Sequence, residues 1–312
     1  MLPFDAYKFY KLNKDLKSDI TFSFLSKANL INALSQIFRP NYKIILSERT
    51  NLSAYFKMMP KWKSIFQRLM VKNIFPLADI INSNSNHAIK DLKENFGLKN
   101  ANSVIYNPIE KFNSENNNDL NFEICSDFFN VVCVANFREE KDHISLLNAV
   151  HKLEKGKMKF HLIGQGDDSI LKKMSIELGI ENEIVFWGYQ KTPQIILSKC
   201  SCSILTSKFE GFPNTVLESI ECQIPAIASN TEGAAELLNP SRVEATNFLD
   251  FKIAEYGLLV EIGNPSSIAN ALLYMKDNID FQNELKNRYS NYRKTFYTEN
   301  IISQYSTLIN QC

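Results

Sequence analysis

Residues 202–230, CSILTSKFEGFPNTVLESIECQIPAIASN, constrain the fold more than any other stretch of the chain. An apolar, β-type run over 202–206 breaks at Ser207-Lys208-Phe209, and a glycine-bearing turn follows at Glu210-Gly211-Phe212-Pro213-Asn214. The pattern is then helical over about 214–222, and a second apolar run at 224–229 comes at once. This is a strand–loop–helix–strand unit whose loop leaves the carboxyl end of its first strand. Pro213 suits the first helical position, where a missing N–H costs nothing. The unpaired N–H groups of that first turn, with the helix dipole behind them, form an anion site suited to phosphate.

Two carboxylates frame the site, Glu210 on the loop and Glu218 in the helix. Their spacing does not suit a metal pair, and neither adjoins a nucleophile. An ionised carboxylate can accept two hydrogen bonds from a vicinal diol, so the pair suits hydroxyl recognition. A phosphate flanked by a polyol is a nucleotide sugar. The run E-G-F-P-N-T-V-L-E-S, with I-P-A-I-A-S after it and Gly233 and Glu236 beyond, resembles the signature of retaining GT-B glycosyltransferases of family 4, the group 1 class. The resemblance implies that Glu210 contacts the donor sugar, Glu218 the ribose, and the backbone of Gly211, Phe212, Pro213, Asn214 and Thr215 the sugar and diphosphate. It also implies an α/β fold of GT-B architecture, two Rossmann-like parallel-sheet domains facing a cleft.

At 312 residues the chain can hold two domains. A hydrophobic share of 45% and a charged share of 22% are those of an ordinary globular protein. The net charge of +1 exerts no global pull toward nucleic acid, and no apolar run is long enough for a membrane helix. The six cysteines include no CxxC pair and read as reduced, buried thiols of a cytosolic protein, without a zinc site.

The first twenty residues are polar and lysine-rich with weak helical spacing. Strands are expected at 20–25, 43–47, 79–82 and 103–106, with an amphipathic helix at 28–38 ended by Arg39-Pro40. The second strand delivers Glu48 and Arg49 to the carboxyl edge of a sheet, where ligands bind in open α/β folds. They are a loop ion pair or, as in many relatives of the resembled family, acceptor-side residues. Residues 49–78 contain Arg49, Lys57, Lys61, Lys63, Arg68 and Lys72, no acidic residue, and interleaved aromatics. Such a segment is either a solvated helix face with its apolar side in the core or a surface that an anionic membrane attracts. No nucleic-acid-binding motif accompanies the charge.

The asparagine-rich stretch 113–121 reads as a linker. It places an N-terminal, acceptor-side domain at 1–121, a donor domain at 122–290 and a tail helix at 291–312, which by the resemblance crosses back to the first domain. The N-terminal part holds about four strands, short of a full Rossmann-like half, so it reads either as a natively reduced domain or as a truncated piece of a longer protein. Beyond the linker, apolar strands recur at 131–135, 159–163, 183–187, 202–206, 225–229 and 256–261 with helical patterns between most of them, as in a parallel sheet covered by helices. The first delivers Asn136, Arg138 and Lys141 to the edge that bears Glu210. The resembled family carries an arginine directly after this strand and a lysine about five positions on, both on the diphosphate. Lys141 matches, Asn136 stands at the arginine position, and Arg138 is the substitute cation. Gly164 and Gly166 form a tight strand–helix turn, either a packing device or a donor-side loop, and Tyr189 ends the third strand where relatives hold the base.

With the resemblance, these readings imply a cytoplasmic hexosyltransferase, free or peripheral on the inner face of the membrane, of the polysaccharide-building kind, serving capsule or O-antigen. It would move a sugar from a nucleotide-sugar donor, a UDP-sugar, to a glycan or lipid-linked acceptor with retention, with no metal or other cofactor. Lys141, Arg138 and the helix start would stabilise the departing diphosphate. The alternative is an inactive or truncated remnant that only binds nucleotide sugar. An epimerase on the same fold is disfavoured by the Glu210–Glu218 loop.

Overall fold

A computed structural model describes residues 2–113, 124–241 and 250–311. The chain divides into two compact units, Met1–Pro108 with Thr298–Cys312, and Ile109–Tyr297. The stretch read as a linker lies almost wholly outside the described residues. The units divide at 108/109, ahead of the expected boundary at 121/122. The tail is not one helix from 291. Helix Ile279–Tyr292 runs on into a 3-10 turn at Arg293–Phe296, the chain extends at Tyr297, and a separate helix, Thr298–Asn310, belongs to the first unit.

The first unit has a parallel sheet of β1 (Ile20–Phe24), β2 (Lys43–Glu48), β3 (Ile80–Ser83) and β4 (Ala101–Val104), in that spatial order. The first twenty residues, weakly patterned in sequence, form helix Leu2–Asp15. Helix Ser26–Ser35 packs on β1 and β2, and its buried face is polar as well as apolar: Asn29 and Asn32 are both inaccessible. Their amides need partners there, and a chain of hydrogen bonds supplies them. Thr21 Oγ1 donates to Asn32 Oδ1, Asn32 Nδ2 to Ser23 Oγ, Ser23 Oγ to Asn29 Oδ1, and Asn29 Nδ2 to the Ser47 carbonyl. From helix Thr298–Asn310, Ile301 and Leu308 join Ile45 and Ile105 in a core cluster of the same unit.

The second unit has seven strands: β5 (Phe129–Val134), β6 (Met158–Ile163), β7 (Ile184–Gly188), β8 (Cys202–Leu205), β9 (Ala226–Ser229), β10 (Phe251–Ala254) and β11 (Gly257–Val260). Their spatial order is β10-β11-β9-β8-β5-β6-β7, parallel except that β10 pairs antiparallel with β11. Strands β8, β9 and β11 are buried along their whole length, as expected of parallel strands covered on both faces. The edge strand β10 was not anticipated. Its lysine-bearing FKIA segment has an interrupted apolar pattern, and Gly257 (φ 155) makes the tight return to β11 possible.

Sequence order reverses at β5, which lies between β6 on one side and β8 on the other. In open α/β sheets, the carboxyl ends of strands at such a reversal enclose the ligand crevice. The loops after β5 and β6 meet closely there: a Cβ on Gly164 would lie 2.0 Å from the Ala135 carbonyl oxygen. Gly164→Ala is therefore expected to lower stability by about 1–3 kcal/mol through backbone displacement. Gly156→Ala, whose Cβ would meet open space, should cost only the strain of a left-handed φ of 74, about 1–2 kcal/mol, and less than Gly164→Ala because no backbone must move. Urea unfolding midpoints of the two variants check the ordering.

Candidate active site

The loops that leave β5 and β8 are stitched together before any functional side chain is considered. Thr206 Oγ1 donates to the carbonyls of Lys141 (3.0 Å) and Asp142 (3.2 Å), and the Lys208 N–H donates to the Glu140 carbonyl (2.8 Å). Asp142 takes a left-handed backbone (φ 49) and caps helix His143–His151 through Ser145. Lys141 is thus held at the end of a short 3-10 turn, Glu139–Lys141. Its Nζ lies 2.5 Å from Glu210 Oε1, and Ser207 Oγ donates to the same oxygen at 2.6 Å. The pair is mostly shielded, with side-chain exposures of 24% and 13%, so it is stronger than a surface ion pair. This joins the lysine and the glutamate named from sequence.

The Glu210 loop is braced from below by a glycine. A Cβ on Gly233, at the start of helix Glu232–Leu238, would lie 2.3 Å from the Gly211 carbonyl oxygen and 3.0 Å from that of Glu210. Gly211 remains half-buried, while Phe212 and Pro213 are buried; the Phe212 ring packs 5.9 Å from Phe296. These two side chains anchor the loop, so that between Glu210 and Asn214 only backbone is open to a ligand. Pro213 is the N-cap rather than the first helical residue expected of it, and helix Asn214–Glu221 follows. The Val216 and Leu217 N–H groups donate to the Pro213 carbonyl, so the first-turn N–H of Thr215 has no acceptor within the helix.

Glu218 sits in the second turn of this helix, half-buried. Its carboxylate has no hydrogen bond or ion pair among the described residues, and burial pushes its pKa up to about 7. An under-partnered carboxylate near a helix start has unused acceptor capacity for hydroxyls.

Asn136 does not supply a charge. Its Oδ1 accepts from the Gln165 N–H (3.1 Å) while the Phe137 N–H donates to the Gln165 carbonyl (2.9 Å), which clamps the loop after β5 to the Gly164–Gly166 turn. Gly166 (φ 132) lies against Phe137 in the same clamp. Arg138 is exposed, with Glu140 at 3.9 Å, and shares the wall of a cavity of about 230 Å³ with Phe137, His143, Asp167 and Lys208. Burial, with the Lys141 charge nearby, lowers the His143 pKa to about 4, so that imidazole is neutral. Tyr189 is exposed just past β7, with Gln190 Nε2 bonded to the Trp187 carbonyl.

Ser207, Thr206 and Lys208 were missed by sequence reasoning. Ser207 stands three positions before Glu210, a local spacing that could have marked it. Thr206 acts on carbonyls distant in sequence, which no local pattern encodes. No group of three or more His, Cys, Asp or Glu residues able to hold a metal occurs among the described residues.

Glu48 and Arg49 lie in the other unit, and both are engaged by their own chain. Glu48 is fully buried: its carboxylate accepts from Ser26 Oγ (2.9 Å), Asn29 Nδ2 (3.4 Å) and the Arg49 N–H (3.1 Å). Arg49 donates to the Ile105 carbonyl, Asn107 Oδ1 and Tyr305 Oη, and lies over the Phe24 ring. The surface ion pair considered from sequence does not form, because Glu48 turns inward.

Over residues 121–295 the chain matches the family described as glycosyl transferases group 1. The chain belongs to that family and is a glycosyltransferase. It is 27% identical over 299 residues to an N-acetylgalactosamine-N,N'-diacetylbacillosaminyl-diphospho-undecaprenol 4-alpha-N-acetylgalactosaminyltransferase of Campylobacter jejuni, covering 95% of this chain and 77% of that one. It is 33% identical over 144 residues to a lipopolysaccharide 1,6-galactosyltransferase of Escherichia coli, covering 44% and 39% of the two chains. Among solved structures, Anabaena HepE in complex with UDP superposes with a TM-score of 0.79 at 17% identity, over 98% of this chain and 82% of HepE. Sucrose-phosphate synthase of Thermosynechococcus elongatus gives 0.82 at 16% identity, over 99% and 77%. The fold is that of GT-B glycosyltransferases.

The burial of Glu48 has a pH consequence. Its folded pKa is raised from 4.5 to about 7, mainly by desolvation. Between those values the folded protein holds a proton that the unfolded chain releases, so stability falls as pH rises through the window. Glu218 acts with the same sign. Glu48→Gln is expected to shrink the loss of stability between about pH 4.5 and pH 7.5, as read by urea titration at both values.

Proposed function

We propose that this glycosyltransferase moves a sugar from a UDP-sugar, with retention of anomeric configuration, to a lipid-linked glycan in the assembly of a bacterial surface polysaccharide. Within group 1 it reads as a family 4 enzyme. The observation that carries the proposal is the shielded Lys141–Glu210 pair at the strand-order reversal, beside the under-partnered Glu218. The relatives support the acceptor class: one is named for transfer to a diphospho-undecaprenol-linked sugar and one for transfer to lipopolysaccharide. The HepE complex supports UDP as the nucleotide.

The mechanism follows from charge. As the bond between the anomeric carbon and the β-phosphate oxygen breaks, negative charge grows on the diphosphate. Lys141 leaves Glu210 for that charge, and the N–H groups at the start of helix Asn214–Glu221 add to its stabilisation. Arg138, exposed at the same edge, is the second cation that Asn136 does not provide. Glu210, freed from Lys141, accepts hydrogen bonds from the donor sugar, and Glu218 accepts them from the ribose diol. The acceptor hydroxyl attacks from the face the diphosphate leaves, and its proton passes to the departing phosphate oxygen. The new carbon–oxygen bond thus replaces the old one on the same side. The N-terminal unit, with its four-stranded sheet, serves the acceptor side.

Turnover separates this reading from a remnant that only binds donor. UDP release from a UDP-sugar is expected to depend on added lipid-linked acceptor, and to fall by about two orders of magnitude in Lys141→Ala or Glu210→Ala. Coupling constants of the product's anomeric proton should show the donor's configuration. Acceptor-independent release, unchanged in both variants, contradicts the proposal. Donor affinity should also weaken as pH falls below about 7, by up to about tenfold per unit, because protonation removes the ribose-binding carboxylate of Glu218. Glu218→Gln should show a shallower pH dependence in the same titrations.

A further inference from the structure

Helix Lys61–Ile74 carries its apolar residues on the wrong side for a globular protein. One face is in the core: Val71 is inaccessible, and Met70 and Ile74 pack against the cluster that fills the first unit. On the opposite face Trp62, Ile65, Phe66 and Leu69 are 68%, 60%, 57% and 54% exposed. Their spacing of three and four residues sets them in one line along the helix. Met58, just before the helix, is also exposed. Isolated exposed apolar residues need no explanation, but a continuous stripe of aromatic and branched side chains marks a surface that something covers.

The charges beside the stripe say what covers it. At 100° per residue, Lys61, Arg68 and Lys72 fall along one border and Lys63 along the other. Lys63 lies over the Trp62 ring at 5.3 Å, and Arg68 stacks on the Phe56 and Phe96 rings. Lys57 adds a further exposed cation at the end of the preceding helix, Leu52–Lys57, and no acidic residue occurs from 49 to 78. Two copies packed through this face would set lysine rows beside lysine rows with no carboxylate between them. An apolar line bordered by cations instead matches the boundary between acyl chains and anionic headgroups, with tryptophan and phenylalanine at its centre.

We propose that helix Lys61–Ile74 docks the protein on an anionic lipid bilayer. The line from Trp62 to Leu69 enters the acyl boundary, and Lys57, Lys61, Lys63 and Lys72 meet the headgroups. The proposal rests on the lipid-linked acceptor reading for its purpose and on the geometry of this helix for its substance. The helix does not cross the membrane, and no described helix is long and apolar enough to do so. It holds the enzyme at the surface where a lipid-linked acceptor resides.

The test is co-sedimentation of the purified full chain with sucrose-loaded vesicles of phosphatidylcholine, with and without phosphatidylglycerol, beside light scattering without vesicles. The wild-type partition coefficient should be at least about tenfold higher on phosphatidylglycerol-containing vesicles. Trp62→Glu combined with Phe66→Glu should lower it by about tenfold or more. Lys61→Gln combined with Lys63→Gln should remove most of the phosphatidylglycerol preference. All variants should keep wild-type UDP affinity, which confirms that they are folded. The proposal is overturned if the wild type sediments with neither vesicle, or if the glutamate variant partitions like the wild type. It is equally overturned if light scattering shows a dimer that the glutamate pair disperses, because the face then belongs to a second copy. Vesicle binding without any UDP binding would instead strike the donor reading and leave this face standing.

Discussion

The organisation of the second unit depends on one ion pair across a reversal of strand order. Lys141 and Glu210 come from loops after β5 and β8, adjacent strands separated in sequence by two further β-α units. Neither charge would be stable alone where it sits, since a shielded charge needs a partner. Backbone contacts position both before they meet: Thr206 and Lys208 tie the two loops together, and Gly233 supports the loop under Glu210. Ser207 holds the carboxylate from a third direction. The result is a preorganised pair whose partners can be exchanged without moving the backbone. In the proposed mechanism the diphosphate takes the lysine, and sugar hydroxyls join Ser207 as hydrogen-bond donors to the glutamate. That exchange links the fold to donor binding in the proposed mechanism.

Glu218 and Glu48 show how two buried carboxylates with similar pKa displacement differ in use. Burial pushes both up to about 7. Glu48 accepts hydrogen bonds from its own chain at the head of a buried polar ladder, so its carboxylate holds a loop in place. Glu218 has no such partners among the described residues, and its acceptor capacity is open to a ligand. Partner count separates them where electrostatic displacement does not.

The parts legible in the sequence were those encoded locally. The apolar runs of β5, β6, β7, β8 and β9, the Glu210 loop and the helix at Asn214 all lie in short segments whose patterns stand alone. What failed depended on contacts between distant residues. Strand β10 is only four residues, FKIA, too short for its pattern to stand alone, and it forms by pairing with β11. The break at Tyr297 is invisible in a continuous amphipathic tail, because it arises where the chain leaves one unit for the other. Asn136 looked like a lost cation; it is a clamp on Gln165, 29 residues away. The basic segment from 49 to 78 left two readings open in sequence, because the inward place of Val71 and the outward place of the Trp62–Leu69 line are set by packing.

The central claim is that this edge holds a nucleotide sugar with Glu218 on the ribose, and calorimetric titration tests it most directly. Wild type and Glu218→Ala are titrated with UDP, GDP and their sugar conjugates. The account predicts micromolar binding of UDP and UDP-sugars, weakened more than about tenfold in Glu218→Ala through loss of a charge-assisted hydrogen bond. Absence of binding by every nucleotide to the folded wild type would contradict it, and a loss below about threefold in the variant would remove Glu218 from the ribose.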